Sequence, residues 1–410
     1  MHQARLAACA AAPVLTILLL SAHAAQASDS YSLTVTVDGQ TYNRSFSDSQ
    51  EALRLLNRQG LLSLAPNYTN RSSVSGVVEV RGLPVTFNTI PGTTALQISS
   101  PAAGFNRVFD AGSPAATQNL VEAFLRGNED PQGLQQLVKG VVAKSTTDPV
   151  AGNPSSLLGQ SVIADYEIGT MLPGDDGGMS PRAAGWHFGI GFSGQYQDTR
   201  RSDVTNYSIP LGVSYAYGKD GPEAFLHVPL VLSDIDGSNA YQGTGALGVR
   251  VPVITAPSLR WALTPALRWG AAGSWDESSV GQTYGGSVTS DLRVALGGGV
   301  TLGIGNSISH YRTEPLEYGN FRVSYKLRNW SYRNGVSLTG PTGEVAGQPV
   351  TLGASFIDTR MTGDDLAVDA WQEYGVSATF GTSVPLRVSA SYLDGNNGFS
   401  GFRLGLSAAF

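Results

Sequence analysis

Cysteine is almost absent from this sequence. Its one cysteine, Cys9, stands inside an N-terminal segment that reads as removable, so the mature chain is expected to hold neither a disulfide nor a thiolate metal site. Long apolar runs are equally scarce. Beyond residue 27 no stretch approaches the ~18 uninterrupted apolar residues of a spanning helix, which excludes helical membrane crossing there. Charged residues make up only 14% of the chain, the formal net charge is −6, and histidines number five. That balance argues against nucleic-acid binding, and so few histidines leave little material for a metal centre.

What is present begins with a leader. His2 and Arg5 precede an apolar run from Leu6 to Leu20, followed by the small-x-small sites Ala22-His23-Ala24 and Ala25-Gln26-Ala27. Residues 1–27 therefore read as a secretory signal peptide cut after Ala27, with no lipid-attachment cysteine at the cut. Residues 28–145 read as a small α+β domain. Leu33, Val35 and Val37 alternate with polar residues ahead of an Asp38-Gly39 hairpin turn. A short helix is expected over Gln50–Arg58, capped by Ser47 or Asp48 and stopped at Gly60. More strands are expected between Val74 and Ile98. One or two helices should cover 115–143, with Leu120, Val121, Phe124, Leu125, Leu134, Leu137, Val138 and Val141 on a buried face. Residues 146–180 read as a linker, polar and proline-bearing through Pro154, with a short helix within 155–166 that could act as a plug.

From residue 181 the period changes to two and stays there. Trp186, Phe188, Ile190, Phe192 and Tyr196 share one face, opposite Gly189, Gly191, Ser193, Gln195 and Gln197. The same division recurs at Tyr207, Ile209, Leu211, Val213 and Tyr215, at Trp261, Leu263, Leu267 and Trp269, and at Phe402, Leu404, Leu406 and Phe410. A soluble sandwich would put charge on its outer face, whereas here the second face is mostly glycine, serine, threonine, alanine and arginine, as a wet lumen requires. Strands in hydrocarbon satisfy their backbone polar groups only by closing on themselves. The expected fold is thus an all-β transmembrane antiparallel barrel of about twelve strands over 181–410, preceded by the small α+β domain. Turns at 219–222 and 382–385 would lie at the periplasmic end, and 234–239, 276–282, 362–369 and 394–398 at the external end. Counting is least secure over 319–341. Phe321, Val323, Tyr325 and Leu327 there lie out of register with Trp330, Tyr332, Val336 and Leu338, so a bulge or extra turn is expected near Arg328-Asn329, with ten or fourteen strands as alternatives.

The ending Gly401-Phe402-Arg403-Leu404-Gly405-Leu406-Ser407-Ala408-Ala409-Phe410 resembles that of the Gram-negative outer-membrane β-barrel superfamily. The layout of leader, exported region, short helix and C-terminal strands is similar to an autotransporter translocator. The resemblance implies outer-membrane lipid as surroundings and recognition by the barrel assembly machinery through Phe402, Leu404, Leu406 and Phe410. It also implies a secreted polypeptide as possible cargo. The N-terminal region is short for such a passenger and lacks its repetitive pattern.

Alternation also places Arg250, Arg260, Arg268, Arg293, Arg322, Lys326, Arg387 and Arg403 in the lumen, while the acidic residues of this half read as belonging mainly to turns and loops. An electropositive interior follows, able to hold carboxylate or phosphate. Its partners would be either Asp165, Glu167, Asp175 and Asp176 of the pre-barrel segment or small anions in an open pore. His310, near an external strand end with serines beside it, is the one candidate for a lipid hydrolase; a strand-end histidine is more often interfacial, so no catalytic residue is assigned. His187 and His227 read as lumen-facing polar residues. No metal or cofactor is expected. Trp186, Trp261, Trp269, Trp275, Trp330 and Trp371 suit an interfacial girdle. The expected function is a secretion or translocation pore, with an anion diffusion channel or a barrel-anchored surface adhesin as alternatives.

Overall fold

A computed structural model of the chain describes residues 31–46, 58–69, 71–171, 178–179, 182–199, 203–235, 237–274, 279–316, 325–381 and 384–410. The leader, the expected helix up to residue 57, Asp175, Asp176, Trp275, Phe321, Arg322 and Val323 lie outside these residues.

Six short strands form the first sheet: β1 (Tyr31–Val37), β2 (Gln40–Phe46), β3 (Val74–Val80), β4 (Leu83–Thr89), β5 (Leu96–Ser100) and β6 (Phe105–Phe109). They pair antiparallel in the order β2-β1-β3-β4-β5-β6. Two of the hairpins turn on residue pairs at positive φ, Asp38-Gly39 and Arg81-Gly82, which match the twist of the flanking strands. Helix α1 (Arg58–Leu64) runs straight through Gly60, so that glycine does not stop a helix as expected. Ser113 caps α2 (Pro114–Leu125), taking the Ala116 N–H at 3.3 Å. Gly127 at φ 75° then separates α2 from α3 (Pro131–Lys144), so the 115–143 pattern is two helices. Phe124, Leu134, Leu137 and Val141 bury against Val35, Phe87, Phe105 and Phe109 of the sheet.

Twelve strands then close a barrel. They are β7 (Gly185–Asp198), β8 (Asp203–Ala216), β9 (Glu223–Ile235), β10 (Ser238–Ala256), β11 (Leu259–Ser274) and β12 (Ser279–Gly297). After them come β13 (Val300–Pro315), β14 (Leu327–Val345), β15 (Gln348–Gly363), β16 (Ala370–Phe380), β17 (Leu386–Gly395) and β18 (Ser400–Ala409). All neighbours are antiparallel, and β18 pairs with β7 to complete the wall. At the seam Phe410 exchanges both backbone hydrogen bonds with Phe188, and their rings stack at 6.0 Å. The outer face carries Trp186, Ile209, Leu230, Leu247, Leu267, Val288, Leu338, Val376 and Leu404, all exposed. An apolar belt this continuous around a closed sheet has no counterpart in a water-soluble domain. The chain is a transmembrane barrel of the outer-membrane kind.

Both chain ends of the barrel, at Gly185 and Phe410, fall at one mouth, with the β8–β9 and β16–β17 connections. The opposite mouth carries the β9–β10, β11–β12, β13–β14, β15–β16 and β17–β18 connections. Two expectations about the wall need correction. β14 runs from Leu327 with an unbroken register to Pro341, so no bulge or turn lies at Arg328-Asn329 and the pairing irregularity is at Pro341/Gly343. Trp371 is not in the outer girdle. It is fully buried at the loop-end mouth beside Leu393 and Phe399, because the described region from 142 to 163 covers that mouth with apolar side chains.

Candidate functional site in the barrel lumen

The region from Ser145 to Pro154, expected to be a polar linker, is buried. Its polarity is spent internally: Asp148 accepts the N–H groups of Val150 and Ala151, and Ser145 Oγ accepts that of Asp148. Asp148 also receives Arg81 of the first domain at 2.6 Å and Ser279 of the barrel at 3.2 Å. The Ala143 and Gly152 carbonyls accept the N–H groups of Ala367 and Val368 in the β15–β16 connection, while Lys139 and Lys144 reach Asp364 and Asp365. The six-stranded domain therefore sits on the loop-end mouth, away from the barrel's chain ends.

From there helix α4 (Leu157–Thr170) descends inside the barrel against β10–β14. Ser156 caps it by accepting the Gly159 N–H. The helix is apolar nearly all round yet carries Asp165 and Glu167, and both meet wall arginines. Asp165 takes Arg268 Nε at 2.7 Å and the Tyr311 hydroxyl, in a site where the Arg268 side chain is 0% exposed. Arg268 donates a further bond to Thr244. Glu167 lies 3.1 Å from Arg403. Arg293 donates to the Thr170 carbonyl at 2.5 Å and the Gly178 carbonyl at 3.0 Å, setting a cation at the helix C-terminus where the dipole favours one. Arg387 approaches the Met171 sulfur at 2.7 Å.

Shape fixes the helix as well as charge. Tyr166 lies under the Arg333 guanidinium, 5.1 Å from ring centre to Cζ. Its hydroxyl occupies the space that Gly305 and Gly335 leave open, where an added Cβ would come within 2.5 and 2.1 Å of it. Gly169 likewise rests directly on Thr289.

The remaining expected lumen residues divide. Arg250 is buried in the lumen, 2.8 Å from Asp291, which also takes Arg293 at 3.0 Å. Arg260 lies at the chain-end rim and pairs with Asp220 of the β8–β9 turn. Lys326 is not in the lumen: its side chain is 61% exposed and 3.8 Å from Glu314. Period-two counting through Tyr325 and Leu327 fails because both turn inward and bury under the region at the mouth. The acidic residues are also not confined to turns. Asp291 and Glu373 project into the lumen, and Glu373 joins Arg333 at 2.7 Å to Arg403 at 2.9 Å. The interior is thus a charge-paired lattice rather than a free cationic surface. Asp291 follows from the alternation that places Arg293 in the lumen and Arg333 from that of Tyr332; these two and Glu373 are the residues that reading missed.

Beside α4, along β15–β18 and β7–β9, a cavity of about 370 Å³ remains, lined by small residues such as Gly191, Ser208, Gly353, Ser377 and Ser389. His310 offers no hydrolytic arrangement with its neighbours. It faces outward, tilted on Trp330 with ring centres 4.7 Å apart, while Ser307 and Ser309 point into the lumen and are buried.

No protein-family model matches the sequence, and no curated protein matches it. Solved structures resemble the barrel. The β domain of the Bordetella autotransporter BrkA shares 12% identity over 56% of this chain and 99% of that one, with a TM-score of 0.42. The translocator domain of autotransporter NalP from Neisseria meningitidis shares 10% over 62% and 94%, also at 0.42. An outer membrane channel from Pseudomonas putida F1 shares 12% over 56% and 95%, at 0.41. Likeness at this level concerns the fold alone.

Proposed function

We propose that this protein is an autotransporter-like secretion pore of a Gram-negative outer membrane, which carries its own N-terminal domain to the cell surface and then closes around α4. What supports this is one arrangement: the chain passes from a domain at the loop-end mouth, down through the lumen as α4, to the barrel's first strand at the other mouth. Short turns and both chain ends belong to the periplasmic side of such barrels, so the domain faces outward. Once there, the helix acts as a plug. Asp165, Glu167 and the Thr170 carbonyl satisfy Arg268, Arg403 and Arg293 by charge-assisted bonds, of which the Asp165–Arg268 pair is fully buried. The displayed domain would serve adhesion or another surface role.

Proteinase treatment of intact cells tests this reading. Loss of the N-terminal domain with survival of a heat-modifiable barrel is expected. Protection of that domain until the outer membrane is opened would overturn it.

The cavity beside α4 favours a second reading, a narrow channel for small anions with Arg387 and Arg403 at its wall. Bilayer conductance of the full chain against residues 181–410 separates the two. Anion-selective current only after truncation supports the plug, and similar current in both supports the channel. A lipid hydrolase would instead lose its activity in His310→Ala.

A further inference from the structure

One part of the outer wall breaks the rule that such a surface is apolar. On β13 and β14, Arg312 and Arg328 are direct cross-strand partners near the loop-end mouth, and both face outward. Like charges facing each other in a sheet are unfavourable, and a cation on a lipid-facing wall is a further cost that grows with depth. Nothing among the described residues relieves the pair. Glu314, two residues along β13 on the same face, takes the Tyr284 hydroxyl at 3.2 Å and lies 3.8 Å from Lys326. Asp364 accepts the Arg328 backbone N–H and pairs with Lys139. Arg360, by contrast, is neutralised on its own strand by Asp358 at 2.9 Å.

The wall beneath the two arginines is shaped as well. The next row toward the membrane centre reads Leu267, Gly286, His310 and Trp330 across β11–β14. Gly286 contributes no side chain between Leu267 and His310, and an open groove of about 960 Å³ runs there, lined by Leu267, Val288 and Ile308. Two guanidiniums therefore stand over an apolar channel, with Trp330 and the His310 ring tilted against it at the level between polar and apolar lipid.

We infer that the outward face of β11–β14 binds a phosphorylated, multiply acylated glycolipid of the outer leaflet. Arg312 and Arg328 hold a phosphate, and one acyl chain lies in the groove at Gly286. Planar guanidiniums suit phosphate oxygens, and an anion between them removes the repulsion that the bare wall carries. The inference rests on the loop-end mouth facing outward, as the secretion reading has it, but not on any cargo.

The full chain is reconstituted in phosphatidylethanolamine vesicles containing a diphosphorylated, multiply acylated glucosamine disaccharide, and retained lipid is counted by native mass spectrometry. The same barrel is measured with the dephosphorylated glycolipid and with phosphatidylglycerol. Retention of the phosphorylated glycolipid, reduced at least about tenfold in Arg312→Gln/Arg328→Gln and by dephosphorylation, is expected. Arg360→Gln should retain it as the parent does. Equal retention by the double variant, equal retention of the dephosphorylated lipid, or equal retention of phosphatidylglycerol would each overturn the proposal. The lipid comparison on the parent decides the matter even if the double variant fails to fold. Protease accessibility of the N-terminal domain is read separately, so failure of the lipid site and failure of the secretion reading give different results.

Discussion

Replacing Asp165 with alanine should open the pore. Alanine is a better helix former than aspartate, so α4 itself is not weakened. What changes is the wall: Arg268, 0% exposed, loses its carboxylate partner and keeps neutral hydroxyls, that of Thr244 among them, while Tyr311 loses its acceptor. Breaking a buried pair by deleting one partner costs about 3–5 kcal/mol, and the retained Thr244 bond argues for the lower end. At ~1.4 kcal/mol per tenfold, about 3 kcal/mol moves the ratio of helix-out to helix-in barrels roughly a hundredfold. Planar-bilayer recordings of the full chain should therefore show openings at least tens of times more frequent than the parent. Asp165→Ala/Arg268→Ala should be less perturbed than Asp165→Ala alone, because no buried charge is left behind. Identical recordings for parent and Asp165→Ala would refute the idea that this pair retains the helix.

Other contacts lead to four further outcomes. Gly335→Ala places a methyl group about where the Tyr166 hydroxyl sits, so it should raise conductance, and Tyr166→Phe in the same chain should restore closure by removing the overlapping atom. The N-terminal domain should stay docked when salt is raised, since exposed pairs such as Lys139–Asp364 contribute about 1 kcal/mol or less. Asp148→Asn should loosen it instead, because it leaves Arg81 without its buried carboxylate at a cost on the order of 3 kcal/mol; limited proteolysis at the domain boundary reads the difference. Phe410→Ala removes the ring that stacks on Phe188 at the closing seam and the terminal aromatic that the assembly machinery is proposed to read, so heat-modifiable barrel should fall in membrane fractions while unfolded chain rises.

The barrel was legible because its environment imposes one rule on every strand. Lipid outside and a packed lumen inside force strict alternation, and the turns at Lys219-Asp220-Gly221 and Asp234 to Asn239 punctuate it, so twelve strands emerge from residues alone. The rule lapses where the environment changes. At the loop-end mouth Trp371, Tyr325 and Leu327 bury against the chain's own N-terminal region, and there hydrophobicity no longer reports lipid. Lys326 was misplaced for the same reason. In the lumen, alternation fixes which residues point inward but not which of them meet. That Asp291 lies between Arg250 and Arg293, and Glu373 between Arg333 and Arg403, depends on strand register around the closed sheet. Asp291 and Glu373 lie within strands that the same counting delimits, and the expectation that acidic residues belong mainly to turns leaves them out of the lumen set. The seat of Tyr166 over Gly305 and Gly335 carries no local signal, since glycine in a strand has many uses. Nor could the mouth occupied by the first domain be read from residues 28–145, because it depends on contacts such as Ala367 to Ala143 across distant parts of the chain.

Everything functional here depends on α4 lying inside the barrel of the assembled protein. Thr289→Cys places a single thiol on β12 beneath Gly169 of α4, where Thr289 is 0% exposed, in a sequence whose one native cysteine is Cys9. In folded, heat-modifiable barrels in native membranes this thiol should resist a water-soluble maleimide that labels it readily after denaturation. If it is alkylated in the folded barrel as fast as in the denatured chain, the helix is not in the lumen.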